Sequence, residues 1–237
     1  MLVHGISTPS IALGGVASGL VERGCRVMVF DLWGRGYSDS VDLPHDSRLY
    51  STQILLAVTS SSLAWTPEGF SLIGYSLGGG IAVDFAVAHP TMVQSLVLFA
   101  PGGLMRSTHF PWSSRLMYSW VPDTFLQWIV RRRLQDVSVE KNEPGTQSVE
   151  NSVSEVVNAE KGATFEMTPL SKTRPGVTVA SAVGWQIQHH HGFVRSFISS
   201  MQNSSIERTK ETQRTWRKLG LRKDRVLIFA GSTDATM

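Results

Sequence analysis

The chain has 237 residues, 42% of them hydrophobic, with 21 glycines and a formal net charge of +3. This length and balance fit one globular domain with room for an inserted cap, and so small a net charge gives no indication of nucleic-acid binding. No apolar stretch approaches the roughly 20 residues of a membrane span, and the N-terminus lacks the residue order of a signal peptide. We therefore expect a cytoplasmic protein without stable membrane insertion.

The chain opens on a short apolar stretch followed by a helical pattern. Residues 1–3 are apolar and lead into a His-Gly-Ile sequence at 4–6, which predicts the last turn of a strand. Apolar residues at helical spacing predict a helix over Ser10–Arg23 with Ser10 as its N-cap. Residues 25–30 form a continuous apolar run, which predicts a strand covered on both faces. Cys25, the single cysteine, is expected to be a buried thiol there.

Strands and helices continue to alternate up to about residue 100. A glycine-containing loop at 31–39 leads into a second predicted helix over 48–63. Residues 70–74 predict a short buried strand, and 79–89 predict a helix that is apolar on most sides. Residues 95–100 predict another buried strand. This regular alternation predicts a parallel sheet of the α/β class.

The alternation then stops for about a hundred residues. Residues 110–133 are rich in aromatic side chains and predict two helices, whereas 135–176 are polar and predict a mobile loop. Helical character returns over 177–201, and a charged surface helix is predicted over 206–219. Residues 225–230 predict a final strand, so the strand pattern resumes only near the end of the chain.

The sequence Gly74-Tyr75-Ser76-Leu77-Gly78 lies at the junction of a predicted strand and a predicted helix. A bare G-x-S-x-G pattern also occurs in ordinary glycine-rich turns, but in this strand–turn–helix context it is typical of a nucleophile elbow. Glycine at both ends relieves crowding because it has no β-carbon. The pattern predicts a Ser76 hydroxyl held above the end of the sheet, at a helix N-terminus that favours negative charge.

The elbow, the His4-Gly5 turn and the loop at 31–39 together resemble the α/β-hydrolase superfamily, specifically its capped serine hydrolases. The resemblance implies a mostly parallel sheet with flanking helices. The α/β-hydrolase core would comprise residues 1–103 and 177–237, and residues 104–176 would form an inserted helical cap or lid containing the polar loop.

The chain departs from the family's pattern at both ends. In the family's numbering, five strands in the order 4-3-5-6-7 are expected, so the first two strands and the last are missing. We interpret this incomplete sheet as a truncated gene model or as the remnant of a complete enzyme. Both outer strands would then be open edges.

The resemblance assigns roles to individual residues. Ser76 would be the nucleophile, and the backbone N–H groups of Leu77 and Ile6 would form the oxyanion hole next to the His4-Gly5 turn. Asp234, which follows the last predicted strand, would be the acid that orients a catalytic histidine. No metal or other cofactor is implied.

The histidine that completes this set is not where the family places it. The triad order in this fold is Ser, then Asp or Glu, then His, and the three residues after Asp234 contain no histidine. Of the seven histidines elsewhere, His4 belongs to the oxyanion turn. The run at 189–191 points in several directions on a helix and predicts no metal site. Without a base, a serine hydroxyl is a weak nucleophile.

Two classes of function follow from these residues. The first is a serine hydrolase acting through an acyl-enzyme on an ester or thioester of an apolar small molecule. The aromatic cap would line the substrate site or simply pack on the core. Acyltransferases and carbon–carbon bond hydrolases use the same machinery and stay open, whereas aspartate-nucleophile members are disfavoured because residue 76 is serine. The second class is a non-catalytic protein that keeps the fold and binds a ligand or partner.

Overall fold

A computed structural model describes residues 1–104, 123–139, 168–171, 174–206 and 209–231, with side chains of the 123–139 helix described for 124–132. Its sheet has four parallel strands in the order β1-β2-β3-β4. Their bounds are Leu2–Val3, Phe70–Tyr75, Val93–Phe99 and Arg225–Phe229. The predicted α/β class and parallel sheet are confirmed.

Seven α-helices lie within the described residues. A 3-10 turn at Ser10–Leu13 precedes the first helix. The helices α1 to α7 have the bounds Gly14–Val21, Ser47–Ser60, Leu77–Ala88, Asp123–Val139, Val179–His189, Phe193–Asn203 and Lys210–Leu219. None of the helices in these ranges is both long enough and apolar enough to cross a membrane.

The prediction of a covered strand over residues 25–30 is wrong. Only Val29 pairs with the sheet, through an isolated parallel bridge to Leu2, supported by a 2.9 Å bond from the Leu2 amide to the Met28 carbonyl. Cys25 is exposed, not buried. Residues 25–30 lie beside β1 at the edge of the sheet. Because β1 is only two residues long, it is too short for these residues to form a regular ladder of hydrogen bonds with it.

The prediction that Ser10 caps a helix from its first turn is also wrong. The chain first makes a 3-10 turn, with the Ala12 amide bonded to the Pro9 carbonyl. The Ser10 amide donates 2.7 Å to Asp31 Oδ1, so this amide is tied to the neighbouring loop. The α-helix begins only at Gly14.

The core is built on α3, the helix that follows the elbow. As predicted, it is buried on most sides, because it packs on β1, β2 and β3 and also contacts α2 and α7. Its buried apolar side chains are Leu77, Ile81, Ala82, Val83, Phe85 and Ala86. A helix buried this thoroughly fixes its first turn, where Ser76 lies, against the sheet.

The helices that return to the core after residue 176 follow the sequence in outline. The predicted helical stretch over 177–201 is two helices, α5 and α6, separated at His190–Gly192. The predicted helix over 206–219 begins only at Lys210, where Thr209 forms a capping box. Of the two helices predicted over 110–133, the second corresponds to α4, which continues to Val139 and so shows that the start of the predicted loop at 135–139 is helical. The rest of the predicted cap and loop lies largely outside the described residues.

Candidate active site

Ser76 connects the end of β2 to the start of α3 in a backbone conformation that few residues adopt. Its φ is 51° and its ψ is −117°, and within the described chain only Ala100 also combines a side chain with positive φ. Such a conformation costs of order 1–3 kcal/mol and persists only where the surroundings enforce it. Strain of this kind is concentrated at functional sites, so Ser76 is the first candidate for a reactive group.

Hydrogen bonds on both sides of Ser76 enforce this conformation. Its amide donates 3.0 Å to the Phe99 carbonyl at the end of the neighbouring strand. Its carbonyl accepts from the Gly79 amide at 2.9 Å, the Gly80 amide at 3.3 Å and the Gly102 amide at 2.8 Å. The loop after β3 and the first turn of α3 therefore hold the serine jointly.

The two elbow glycines occupy places where no side chain fits. A β-carbon on Gly74 would lie 2.7 Å from the carbonyl carbon of Gly78 and closer still to its oxygen. A β-carbon on Gly78 would lie 2.5 Å from the His4 carbonyl oxygen and closer to that of Val3. The sequence-based reason for glycine at these positions, close backbone approach, agrees with this geometry.

The His4-Gly5-Ile6 turn lies directly beside Ser76. Register places Val3 opposite Gly74, so the carboxyl ends of β1 and β2 meet at one edge of the sheet. A β-carbon on Gly5 would be 3.5 Å from that of Ser76 and 3.2 Å from ring carbons of Tyr75. The turn that carries the Ile6 amide thus lies against the serine. Leu77, the other predicted oxyanion donor, is the first residue of α3, and the first amides of a helix have no partner within it.

His4 is a structural residue of this turn. Its ring is fully buried, its Nε2 accepts the Leu32 amide at 2.8 Å, and its Nδ1 lies 2.8 Å from the Gly5 carbonyl oxygen. Since Nε2 accepts, Nδ1 carries the proton and donates to Gly5. Burial lowers the pKa of His4 to about 4, so the ring is neutral at pH 7.

No histidine in the described part of the chain forms a hydrogen bond with Ser76. His45 Nδ1 faces the Leu43 carbonyl, His189 Nδ1 faces the Trp185 carbonyl, and His190 Nε2 faces the Ser38 carbonyl. His89 packs its ring on Phe85 at the far end of α3, and His191 is exposed. His109 lies outside the described residues.

Asp234 also lies outside the described residues, so its role stays a prediction. The strand before it does reach the right edge of the sheet. Phe229, the last residue of β4, is in register with Phe99, and the Phe99 carbonyl accepts the Ser76 amide. The carboxyl end of β4 therefore lies at the same edge of the sheet as the serine.

Arg35 is a component of this region that sequence reasoning missed. Its side chain is fully buried, and its Nε donates 2.5 Å to the carbonyl oxygen of Ile6. Nη1 donates 3.2 Å to the Gly34 carbonyl and Nη2 donates 3.1 Å to Ser200 Oγ. Burial lowers the pKa of Arg35 below its ordinary value. The available sequence signal was its position between two glycines in the loop at 31–39.

An apolar cavity of about 700 Å³ adjoins the elbow. Its walls include Tyr75, Phe99 and the segment from Ile11 to Val16, together with Leu170 and Val179 from the part of the chain that returns to the core. This volume lies within the range of ordinary small-molecule pockets. The cavity is therefore large enough to take an apolar group of a ligand.

Solved structures with the same fold include several hydrolases. An enol-lactonase from Burkholderia xenovorans LB400 has a TM-score of 0.58 at 13% identity, covering 99% of this chain and 74% of the other. An esterase from Exiguobacterium antarcticum has a TM-score of 0.57 at 18% identity, covering 99% and 74%. At such identities these similarities show the fold alone.

Curated relatives match about half of the chain or less. An uncharacterized protein of Mycobacterium tuberculosis is 32% identical over 111 residues, which are 46% of this chain and 30% of that protein. The pimeloyl-[acyl-carrier protein] methyl ester esterase of Nitrosomonas europaea is 33% identical over 113 residues, 47% of this chain and 41% of the relative. Each match thus spans less than half of the relative's own length.

The family comparison covers more of the chain. A family model described as serine aminopeptidase, S33, matches residues 1–161, which include β1, the 31–39 loop, the elbow and β3. The sheet order and the hydrolase folds of the similar solved structures agree with that match. This chain belongs to the serine aminopeptidase S33 family of α/β-hydrolases.

Proposed function

We propose that this protein is a serine hydrolase that cleaves an ester or thioester of an apolar small molecule through an acyl-enzyme on Ser76. The observation that carries the proposal is the enforced backbone of Ser76, at φ 51° and ψ −117°, beside the oxyanion turn. A strained serine held by four backbone hydrogen bonds at the carboxyl edge of a parallel sheet is what a nucleophile elbow requires.

The reaction would proceed in two acyl-transfer steps. Ser76 Oγ attacks the carbonyl carbon while its proton passes to a base, and the tetrahedral oxyanion accepts hydrogen bonds from the Leu77 and Ile6 amides. Collapse expels the alcohol or thiol, which takes up the proton held by the base. Water then attacks the acyl carbon and gives a proton to the base, and the acid leaves as Ser76 Oγ recovers that proton. Removing one such donor in well-studied enzymes costs about 2.7–4 kcal/mol of transition-state stabilisation. Asp234 would orient the base.

The substrate class is inferred from the cavity and from the relatives. The cavity beside Tyr75 is lined mostly by apolar groups, which favours an aliphatic or aromatic part of the substrate. The names of two relatives, the pimeloyl-[acyl-carrier protein] methyl ester esterase and a 2-hydroxy-6-oxo-6-phenylhexa-2,4-dienoate hydrolase from Comamonas testosteroni, denote hydrolysis of a methyl ester and of an oxo acid. They support the proposed class without naming the substrate.

The test is covalent capture of the nucleophile. Purified protein is treated with a fluorophosphonate probe and assayed with nitrophenyl esters of increasing chain length. We expect labelling and hydrolysis that Ser76→Ala abolishes and that Ser71→Ala, at the opposite end of the same strand, retains. Labelling that survives Ser76→Ala would mean that another residue is the nucleophile.

One observation favours a second candidate, a non-catalytic ligand-binding protein. Among the described residues no histidine forms a hydrogen bond with Ser76, and the ring nitrogens of His4, His45, His189 and His190 that do form bonds face other groups. If the probe labels nothing and ester turnover equals that of Ser76→Ala, the hydrolase proposal fails. Binding of a nitrophenyl ester without turnover, measured by calorimetry, would then support the second candidate.

A further inference from the structure

We propose that Arg35 is a positioning residue that fixes the orientation of the Ile6 amide. The inference rests on the proposed function, in which that amide is an oxyanion donor. Arg35 itself does not touch the reacting atoms. It acts through the carbonyl of Ile6, to which its Nε donates at 2.5 Å.

The argument begins with the two peptide planes on either side of the Ile6 α-carbon. In the plane that carries the Ile6 N–H, the carbonyl belongs to Gly5 and accepts His4 Nδ1 at 2.8 Å. In the next plane, the carbonyl belongs to Ile6 and accepts Arg35 Nε. Because a trans peptide is planar with its N–H opposite its C=O, the His4 bond to the Gly5 carbonyl sets the direction of the Ile6 N–H. The Arg35 bond holds the next plane, which meets the first at the Ile6 α-carbon, and so limits rotation of the Ile6 residue between the two planes.

The residue before Ile6 cannot provide this rigidity by itself. Gly5 lies against the Tyr75 ring and Ser76, where a β-carbon would be 3.2 Å from ring carbons. Glycine fits this narrow space, but it also gives the backbone more conformational freedom than any other residue. A turn that needs glycine for space therefore needs side chains from elsewhere to hold it, and Arg35 is one of them.

The energetics of the guanidinium support a positional role. Arg35 is fully buried, and none of the ion pairs between described residues includes it. Its partners are neutral oxygens on Ile6, Gly34 and Ser200, together with the Phe193 ring 5.5 Å away. Burying a charge without a counterion costs free energy that an apolar side chain would avoid, so its retention here is best explained by the bonds that it donates.

The test measures the mobility of the Ile6 amide directly. The chain has two Gly–Ile peptides, Gly5–Ile6 and Gly80–Ile81, so carbonyl-¹³C glycine with ¹⁵N isoleucine gives two selectable NMR signals. Ile6→Val identifies one of them. Ile81 lies buried in α3 and serves as the internal reference for both relaxation and folding.

We expect both amides to be rigid in the unmodified protein, with order parameters of about 0.85. In Arg35→Met, Ile6 should fall below about 0.6 while Ile81 stays unchanged. Tyr50→Phe is the matched control, because it removes a hydroxyl that bonds Ser200 but none of the Arg35 acceptors. An Ile6 amide that stays as rigid as Ile81 in folded Arg35→Met, or that is already mobile in the unmodified protein, would overturn the proposal.

A second measurement links the positioning to chemistry. The rate of fluorophosphonate labelling should fall by roughly 10- to 100-fold in Arg35→Met, since the oxyanion loses a fixed donor, and should be retained in Tyr50→Phe. If the unmodified protein is not labelled at all, the hydrolase proposal fails while the NMR measurement still decides the role of Arg35. Should Arg35→Met not fold, Arg35→Leu, which also removes every N–H donor of this side chain, replaces it in both measurements with the same expected results.

Discussion

The α-carbon of Gly74 lies against the carbonyl group of Gly78, across the turn that contains Ser76. A β-carbon at residue 74 would be 2.7 Å from that carbonyl carbon and from the Gly79 α-carbon. Gly74→Ala must therefore displace backbone, and we expect it to lower the free energy of unfolding by about 3 kcal/mol. Urea denaturation followed by circular dichroism measures the change.

The matched control for this substitution is Gly15→Ala in α1. Nothing lies within 4 Å of a β-carbon built there, and alanine is a better helix former than glycine by about 1 kcal/mol. We expect unchanged or slightly raised stability. Equal losses at the two positions would contradict the close approach as the cause.

The buried histidines should make the fold sensitive to mild acid. Burial lowers the pKa of His4 to about 4, and burial together with the charge of Arg35 lowers the pKa of His45 to about 4. Between pH 6.5 and 4 the unfolded chain binds a proton at each site and the folded chain does not. Stability is thus complete above pH 6.5 and falls towards pH 4, by up to about 1.4 kcal/mol per pH unit for each ring.

His4→Gln isolates one of these contributions. The glutamine oxygen can accept the Leu32 amide in place of Nε2 but does not titrate. The variant's free energy of unfolding, measured by urea denaturation at each pH, should fall less steeply between pH 6.5 and 4 by about 1.4 kcal/mol per pH unit. Identical slopes in the variant and the unmodified protein would show that His4 is protonated equally in the folded and unfolded states.

The carboxylate of Asp84, on the elbow helix α3, joins that helix to two other segments. Its Oδ2 accepts the hydroxyls of Ser47, at the start of α2, and of Ser205, after α6, both at 2.5 Å. Asp84→Ala removes the shared acceptor of these partly buried hydroxyls, which keep only their mutual 3.0 Å hydrogen bond, and we expect a loss of about 2 kcal/mol in the free energy of unfolding. Thermal denaturation monitored by calorimetry provides the measurement.

Asp42 offers the comparison for this prediction. It pairs with Arg195, but its side chain is 81% exposed, and surface ion pairs contribute about 0–1 kcal/mol. Asp42→Ala should therefore change stability little. A loss at Asp84 no larger than the loss at Asp42 would refute the joining role.

The last strand presents apolar side chains to solvent. Val226, Leu227, Ile228 and Phe229 on β4 are between 37% and 51% exposed, and β4 ends the sheet order. Exposed apolar edge strands promote association, and a lysine at the edge opposes it. Leu227→Lys should reduce concentration-dependent association in sedimentation velocity, whereas Leu43→Lys, at an exposed position outside the sheet, should not.

The elbow was predictable because its chemistry is local. Glycine occurs two residues before and two residues after Ser76, between a strand pattern and a helix pattern. This spacing predicts a close approach of backbone to backbone, which the surroundings of Gly74 and Gly78 show. The same holds for α3, whose apolar composition on most sides predicted its burial. In both cases the information lies within a few consecutive residues.

The features that sequence reasoning missed depend on distant partners. Residues 25–30 have a strand-like composition, but whether a run forms a ladder depends on the length of its neighbour, and β1 has two residues. A charged residue such as Arg35 is expected at the protein surface. Its burial is possible because three oxygen atoms accept hydrogen bonds from its guanidinium group. Those acceptors come from segments up to 165 positions away in the chain.

The pairing of Val3 with Gly74 also sets an order of events during synthesis. The ribosome releases β1 about seventy residues before β2, so the pairing of these two strands must wait until α1 and α2 have emerged. Closing so long a loop carries an entropic cost before any contact repays it. The elbow serine and its neighbouring turn can therefore come together only after β2 has been synthesised, so a nascent chain that ends before β2 does not yet contain the candidate site.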